Sequence, residues 1–197
     1  MDLIEIFTLV TGLVYLVLEI RQKNAMWIVG MLTSAAAVWM FASRDLYASM
    51  ILNIYYLVIS AAGFVSWRKD RARLERKSLQ EGAEGGNRIH LNRLNVRTVL
   101  WSAAAAAAGT AIMVAVLKNT GDPMPWLDAM IAVLNAIATY WLSRSYFQQW
   151  YILVVANIMS VVLCLAQGLP FMTAQYVFYT AASVYGLVRW RRRGVYL

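Results

Sequence analysis

The chain predicts an all-α integral membrane protein of seven transmembrane helices, organised as two parallel three-helix repeats joined by a linker helix. Three observations carry this. Of 197 residues, 61% are hydrophobic and 14% charged, with a mean hydropathy of +0.55, outside the range of soluble domains. Seven stretches have the roughly 17 to 25 mostly apolar residues that span a bilayer. Displacing the first three of them by 123 positions lays them on the last three without a gap.

In order, the stretches are Leu3 to Ile20, Ala25 to Ser43, Leu46 to Trp67, Thr98 to Leu117, Trp126 to Ser143, Gln149 to Gln167 and Leu169 to Arg189. The first is the weakest candidate, since Glu5 and Glu19 bracket it. Its start carries acids where a secretory signal needs bases, so the N-terminus is expected to be retained. Arg68 to Arg97, polar and interrupted by Gly82, Gly85 and Gly86, is expected to be a flexible loop too short and too polar to bury a core.

Lys and Arg fix the orientation. With the N-terminus outside, 16 of the 18 basic residues fall on the cytoplasmic side, leaving only Arg44 and Lys118 outside. The C-terminus is then cytoplasmic, in the plasma membrane. A net charge of +8 on such a chain describes cytoplasmic loops and does not point to nucleic acid. Cys164 and His90 each stand alone, so a disulfide framework, a zinc site and Ser/His/Asp or Cys/His chemistry lack their raw material. No cofactor is implied, and the chain is not expected to be an enzyme.

The 123-residue displacement sets Arg21 on Arg144, Trp27 on Trp150, Tyr56 on Tyr179, Ser60 on Ser183, Gly63 on Gly186 and Trp67 on Trp190. Leu46 on Leu169 and Arg68 on Arg191 complete the set. The domains read as residues 1–67 for the first repeat, 68–97 for a basic cytoplasmic loop, 98–117 for the linker helix, 126–190 for the second repeat and 191–197 for a basic tail. A three-helix unit ends on the side opposite its start, so a second unit in the same orientation needs one extra crossing. The alanine run Ala103 to Ala108 and Gly109 suit that crossing, because small side chains permit close helix contact. Parallel repeats lead one to expect a substrate pathway between the halves.

Polar groups in lipid mark candidate binding positions. Trp150 and Asn157 share one helical face, and Trp27 and Ser34 are their counterparts in the first repeat. Asn53 and Tyr56 line the third helix, Gln175 and Tyr179 the seventh, and Asn135 sits mid-span in the fifth. Glu19, a turn from the cytoplasmic end, could serve as counter-charge to a cationic substrate. The apparent lack of a carboxylate or histidine relay in most spans favours facilitated diffusion over proton-coupled pumping.

Asn53-Ile54-Tyr55-Tyr56 followed by Gly63 and Trp67, Tyr146-Phe147-Gln148-Gln149-Trp150 leading into Asn157, and Gly168-Leu169 with Tyr179, Gly186 and Trp190 resemble the PnuC-type vitamin transporters. The resemblance implies a SWEET-like fold, a homotrimer, and alternating-access uptake across a bacterial inner membrane. It also implies a substrate among thiamine, nicotinamide riboside and riboflavin, with a cytoplasmic vitamin kinase trapping the product by phosphorylation. Leu153 stands where nicotinamide riboside members tend to carry a second tryptophan, so part of an aromatic cage for a pyridinium is lost. The reading therefore favours thiamine, with nicotinamide riboside as alternative. A sugar uniporter of like architecture, or a membrane sensor whose basic tail contacts anionic lipid, are the other classes.

Overall fold

The computed structural model describes residues 3–43, 47–80, 88–118 and 123–197. Arg44, Leu46, Gly82, Gly85 and Gly86 lie outside the described residues. Seven helices are described: α1 (Leu3–Ile20), α2 (Ala25–Ala42), α3 (Tyr47–Gln80), α4 (Val96–Leu117), α5 (Pro125–Ser143), α6 (Gln149–Ala166) and α7 (Pro170–Arg193). Two short strands, β1 (Ile89–Leu91) and β2 (Gly194–Tyr196), complete the order. Among the described residues, five helices, α2 to α6, contain stretches long and apolar enough to cross a membrane.

The largest departure from expectation lies after Trp67. The segment expected to be a flexible loop continues α3 to Gln80 and then supplies a strand. Its residues are good helix formers, and Trp67, Asp70, Leu74 and Ser78 recur at helical spacing and are all buried. At about 1.5 Å per residue, α3's 34 residues outrun a hydrocarbon core of roughly 30 Å, so its charged end projects beyond it. The basic tail departs likewise: α7 runs through Arg193, and β2 then pairs in parallel with β1. Ile89 faces Gly194, His90 faces Val195 and Leu91 faces Tyr196. Leu197 N–H donates to Leu91 O at 3.0 Å, and Lys77 Nζ to Tyr196 O at 3.0 Å.

Three helices end in the same way. After α6, Gly168 at φ 68° lets Leu169 N–H reach Cys164 O at 2.9 Å, while its own N–H reaches Leu165 O at 3.1 Å. This left-handed helix cap usually takes glycine. After α1 the left-handed residue is Gln22 (φ 51°), and after α5 it is Ser145 (φ 58°), with the same pair of backbone bonds. A side chain in this region costs on the order of 1–3 kcal/mol. Gln22 and Ser145 are separated by the same 123 positions as the repeat.

The chain divides into two compact units. One comprises Met1–Asn92, Leu142–Ser145 and Arg192–Leu197; the other comprises Arg93–Trp141 and Tyr146–Arg191. In the first, Trp27 packs edge-on against Trp67 with centroids 5.1 Å apart and lies on Gly63, where an added Cβ would fall 2.6 Å from its ring. In the second, Trp150 packs edge-on against Trp190 at 5.6 Å and lies on Gly186, where an added Cβ would fall 2.5 Å from the ring. Lipid offers no hydrophobic gain for helix association, so an indole seated on a bare glycine backbone holds these helices by fit. Helix α4 buries none of its side chains, and Trp141 Nε1 of α5 ties to it by donating to Ser102 Oγ at 2.9 Å.

Candidate functional site

The second unit holds a polar cluster on α6 and α7. Asn157 Nδ2 donates to Ser183 Oγ at 3.1 Å, and both side chains are buried. Two turns nearer the start of α7, Gln175 Nε2 donates to Tyr179 OH at 2.9 Å. Tyr176 and Tyr179 meet edge-to-face at 6.0 Å, and Tyr176 lies within reach of the Ser160 hydroxyl and of Asp128. These groups offer amides, hydroxyls and aromatic faces within a helix pair, the chemistry that holds a polar aromatic solute. Asn135 Nδ2 on α5 donates to Ile131 O of its own helix at 2.9 Å.

In the first unit the counterparts are smaller. Ser34 and Ser60 are buried, and the Ser60 hydroxyl lies 3.0 Å from the Cβ position of Gly30. Asn53 Nδ2 donates to Ser49 O at 2.9 Å, and Tyr56 meets Tyr55 edge-to-face at 5.4 Å. Glu19 is buried at the C-terminal end of α1, within electrostatic reach of Tyr15.

Trp27 and Trp150, expected to offer ring faces to a substrate, are enclosed in this structure. Both are 0% exposed, enclosed by Trp67 or Trp190 and by the paired glycine, so neither has a ring face open to a ligand. In this structure they pack α2 on α3 and α6 on α7. The signal was present in Gly63 and Gly186, which recur with the tryptophans in the repeat. Tyr176, Ser160 and Asp128 were missed among the candidates, although Tyr176 is one turn before Thr180 on the same polar helix. A groove of about 400 Å³ in the second unit, bordered by Ala107, Ala111, Trp126, Met130 and Leu134, offers Thr110 as its sole hydroxyl and suits a hydrocarbon chain better than a polar solute.

His90, set aside as solitary in the sequence, sits at the centre of a buried network in the first unit. Its N–H donates to Gln22 Oε1 at 2.9 Å, and Gln22 Nε2 donates to its carbonyl at 2.9 Å, so one carboxamide stands in for a neighbouring strand. Its Nδ1 lies 3.2 Å from Gln22 Nε2 and 2.9 Å from Ser145 Oγ. An amide nitrogen only donates, so Nδ1 accepts and the ring proton resides on Nε2. Burial first, and the neighbouring Arg71 charge second, push the imidazole pKa from 6.5 down to about 3, keeping the ring neutral.

A family model described as nicotinamide mononucleotide transporter matches residues 2–192. The nicotinamide riboside transporter PnuC of Neisseria mucosa is 27% identical over 191 residues, covering 93% of this chain and 70% of that protein. The protein of the same name from Escherichia coli K12 is 23% identical, covering 97% and 87%. The riboflavin/roseoflavin transporter RibM of Streptomyces davaonensis is 25% identical, covering 92% and 81%. A crystal structure of the vitamin B3 transporter PnuC superposes with a TM-score of 0.62 at 24% identity, over 93% of this chain and 78% of that one, which establishes a shared fold. The apolar helices and the match over nearly the whole length place this multi-pass membrane protein in the nicotinamide mononucleotide transporter family, whose PnuC-type members its residues resemble.

Proposed function

We propose that the chain carries nicotinamide riboside across the bacterial inner membrane by facilitated diffusion. The observation that carries this reading is the family match over residues 2–192, together with two full-length relatives that bear that substrate in their names. The preference for thiamine drawn from Leu153 gives way, since nothing in the relatives supports it. The relative named for riboflavin keeps that vitamin as second reading.

The cluster on α6 and α7 supports the chemistry. Amides and hydroxyls at Asn157, Ser183 and Gln175 match ribose hydroxyls and a carboxamide, and the faces of Tyr176 and Tyr179 suit a pyridinium cation. Asn53, Tyr56, Ser34 and Asn135 contribute the polar lining of the remaining spans, and Glu19 supplies negative charge. The reading includes seven crossings in a 3+1+3 SWEET-like plan with α4 as linker, an external N-terminus, a cytoplasmic C-terminus and a homotrimer. A cytoplasmic kinase then traps the product by phosphorylation. The test is thermal stabilisation of the purified protein by nicotinamide riboside, riboflavin and thiamine side by side. A ligand at one hundred times its Kd adds about 2.7 kcal/mol to stability. Nicotinamide riboside should give the largest shift at equal concentration; a larger shift with either other vitamin rejects the assignment.

A further inference from the structure

Gln22 and Ser145 occupy equivalent corners of the two repeats, and both hold a left-handed backbone that glycine would adopt without strain. Neither side chain caps its own helix. Both reach instead to His90, 68 residues away from Gln22 and 55 from Ser145, on the strand that joins the repeats. Strain kept at two repeat-related positions for the sake of one shared partner points to a function for that partner. Gln22 takes the His90 peptide unit by two bonds, and Ser145 takes the ring nitrogen. Around them Asn92 N–H donates to Ser145 O at 3.2 Å, Asn92 Nδ2 to Arg144 O at 2.9 Å, Trp67 Nε1 to Leu142 O at 3.0 Å, and Arg71 to Gln22 O at 3.1 Å.

We propose that His90 is a fixed fulcrum, holding the inner corners of both repeats together throughout the transport cycle, so that passage of substrate is governed by movement of the spans away from it. This rests on the transporter reading above. The opposite device, a latch released in each cycle, would strand a peptide unit, an imidazole and two corner carbonyls at once. His90, Gln22 and Ser145 are at most 2% exposed, so water is not at hand to replace those bonds. A substrate shifts an equilibrium only by binding one state better. Apart from His90 Nε2, which has no partner, the polar groups named at the node are turned on one another, and the candidate substrate cluster is made of residues on α6 and α7.

Fulcrum and latch predict opposite signs in one experiment. In a Cys164→Ser background, His90→Cys and Ser145→Cys are introduced together and closed by a short, cleavable thiol-bridging reagent, and nicotinamide riboside uptake is measured in proteoliposomes beside the unsubstituted protein. Before bridging, loss of the node should lower the melting temperature and reduce uptake about tenfold, the factor that one lost buried hydrogen bond produces in an equilibrium. Bridging should restore uptake to within about twofold of the unsubstituted protein, because a fulcrum tolerates a covalent pin. Uptake abolished by bridging and recovered on cleavage would overturn the proposal. Hydrogen exchange on the unsubstituted protein in lipid provides a measurement independent of substrate. The amides of His90 and Asn92 should exchange as slowly as the interior of α2; fast exchange there overturns the fulcrum whether or not uptake is seen. Absence of uptake by the unsubstituted protein, with slow exchange at both amides, leaves the fulcrum standing and rejects the substrate.

Discussion

Gly63 and Gly186 decide more than their size suggests. An added methyl at either would stand about as far from an indole carbon as covalent neighbours two bonds apart, at 2.6 and 2.5 Å, so a tryptophan must leave its seat. Gly63→Ala and Gly186→Ala are each expected to cost about 1–3 kcal/mol, as overpacked cores do. Differential scanning fluorimetry on tryptophan emission will read both the lowered midpoint and the displaced ring. At Asn157, replacement by alanine removes one buried bond to Ser183 and should cost about 1 kcal/mol in stability. A structural bond alone predicts that Ser183→Ala is nearly silent in the Asn157→Ala background, whereas a binding amide predicts a further loss of uptake affinity in the first variant only. His90 supplies a pH dependence. The unfolded chain takes up a proton near pH 6.5, the folded chain only near 3, so stability is complete above about pH 6.5 and declines as the pH falls toward 3. Melting curves across that window should slope upward with pH, and His90→Gln should flatten the slope.

Among the elements, the hydrophobic spans were legible almost to the residue. Leu3–Ile20 is α1 as read, and α2, α5 and α6 differ by one residue at an end, because a bilayer demands a long apolar run that few other structures share. Polar character was the wrong guide for the end of α3, where Trp67, Asp70, Leu74 and Ser78 carry a helical period under a charged surface. Strands β1 and β2 had no local signature at all. Each is three residues long, and each finds its partner over a hundred positions away. A shorter but still non-local separation hid the packing of Trp27 and Trp150, whose seats are built by residues on the next helix. Leu74→Ser removes a buried anchor from the α3 extension and should cost about 2–3 kcal/mol. Limited proteolysis should then cleave between Arg68 and Lys77, which the native helix protects.

For the molecule as a whole, basic residues set the prediction. With the N-terminus outside, sixteen of eighteen are expected on the cytoplasmic side. A C-terminal alkaline phosphatase fusion should be inactive and a green fluorescent fusion bright; the reverse pattern would invert the topology. Composition thus spoke clearly about class, and charge distribution sets the orientation that these fusions test. The candidate site was legible only as residue types, because which amide meets which hydroxyl depends on helix rotation, and rotation in lipid follows packing that no single span encodes.

The corner residues also bear on how two positions 123 residues apart come to differ. Two equal halves present two equal corners, yet a single histidine has one peptide unit and one accepting ring nitrogen to give. A carboxamide spans the first and a short hydroxyl meets the second, so the corners had to become different residues. Gln22 Nε2 also stands 3.2 Å from the ring nitrogen, so the longer side chain meets both groups of His90 whereas Ser145 meets the ring alone. The two corners, 123 positions apart, thus serve one histidine by unequal reach.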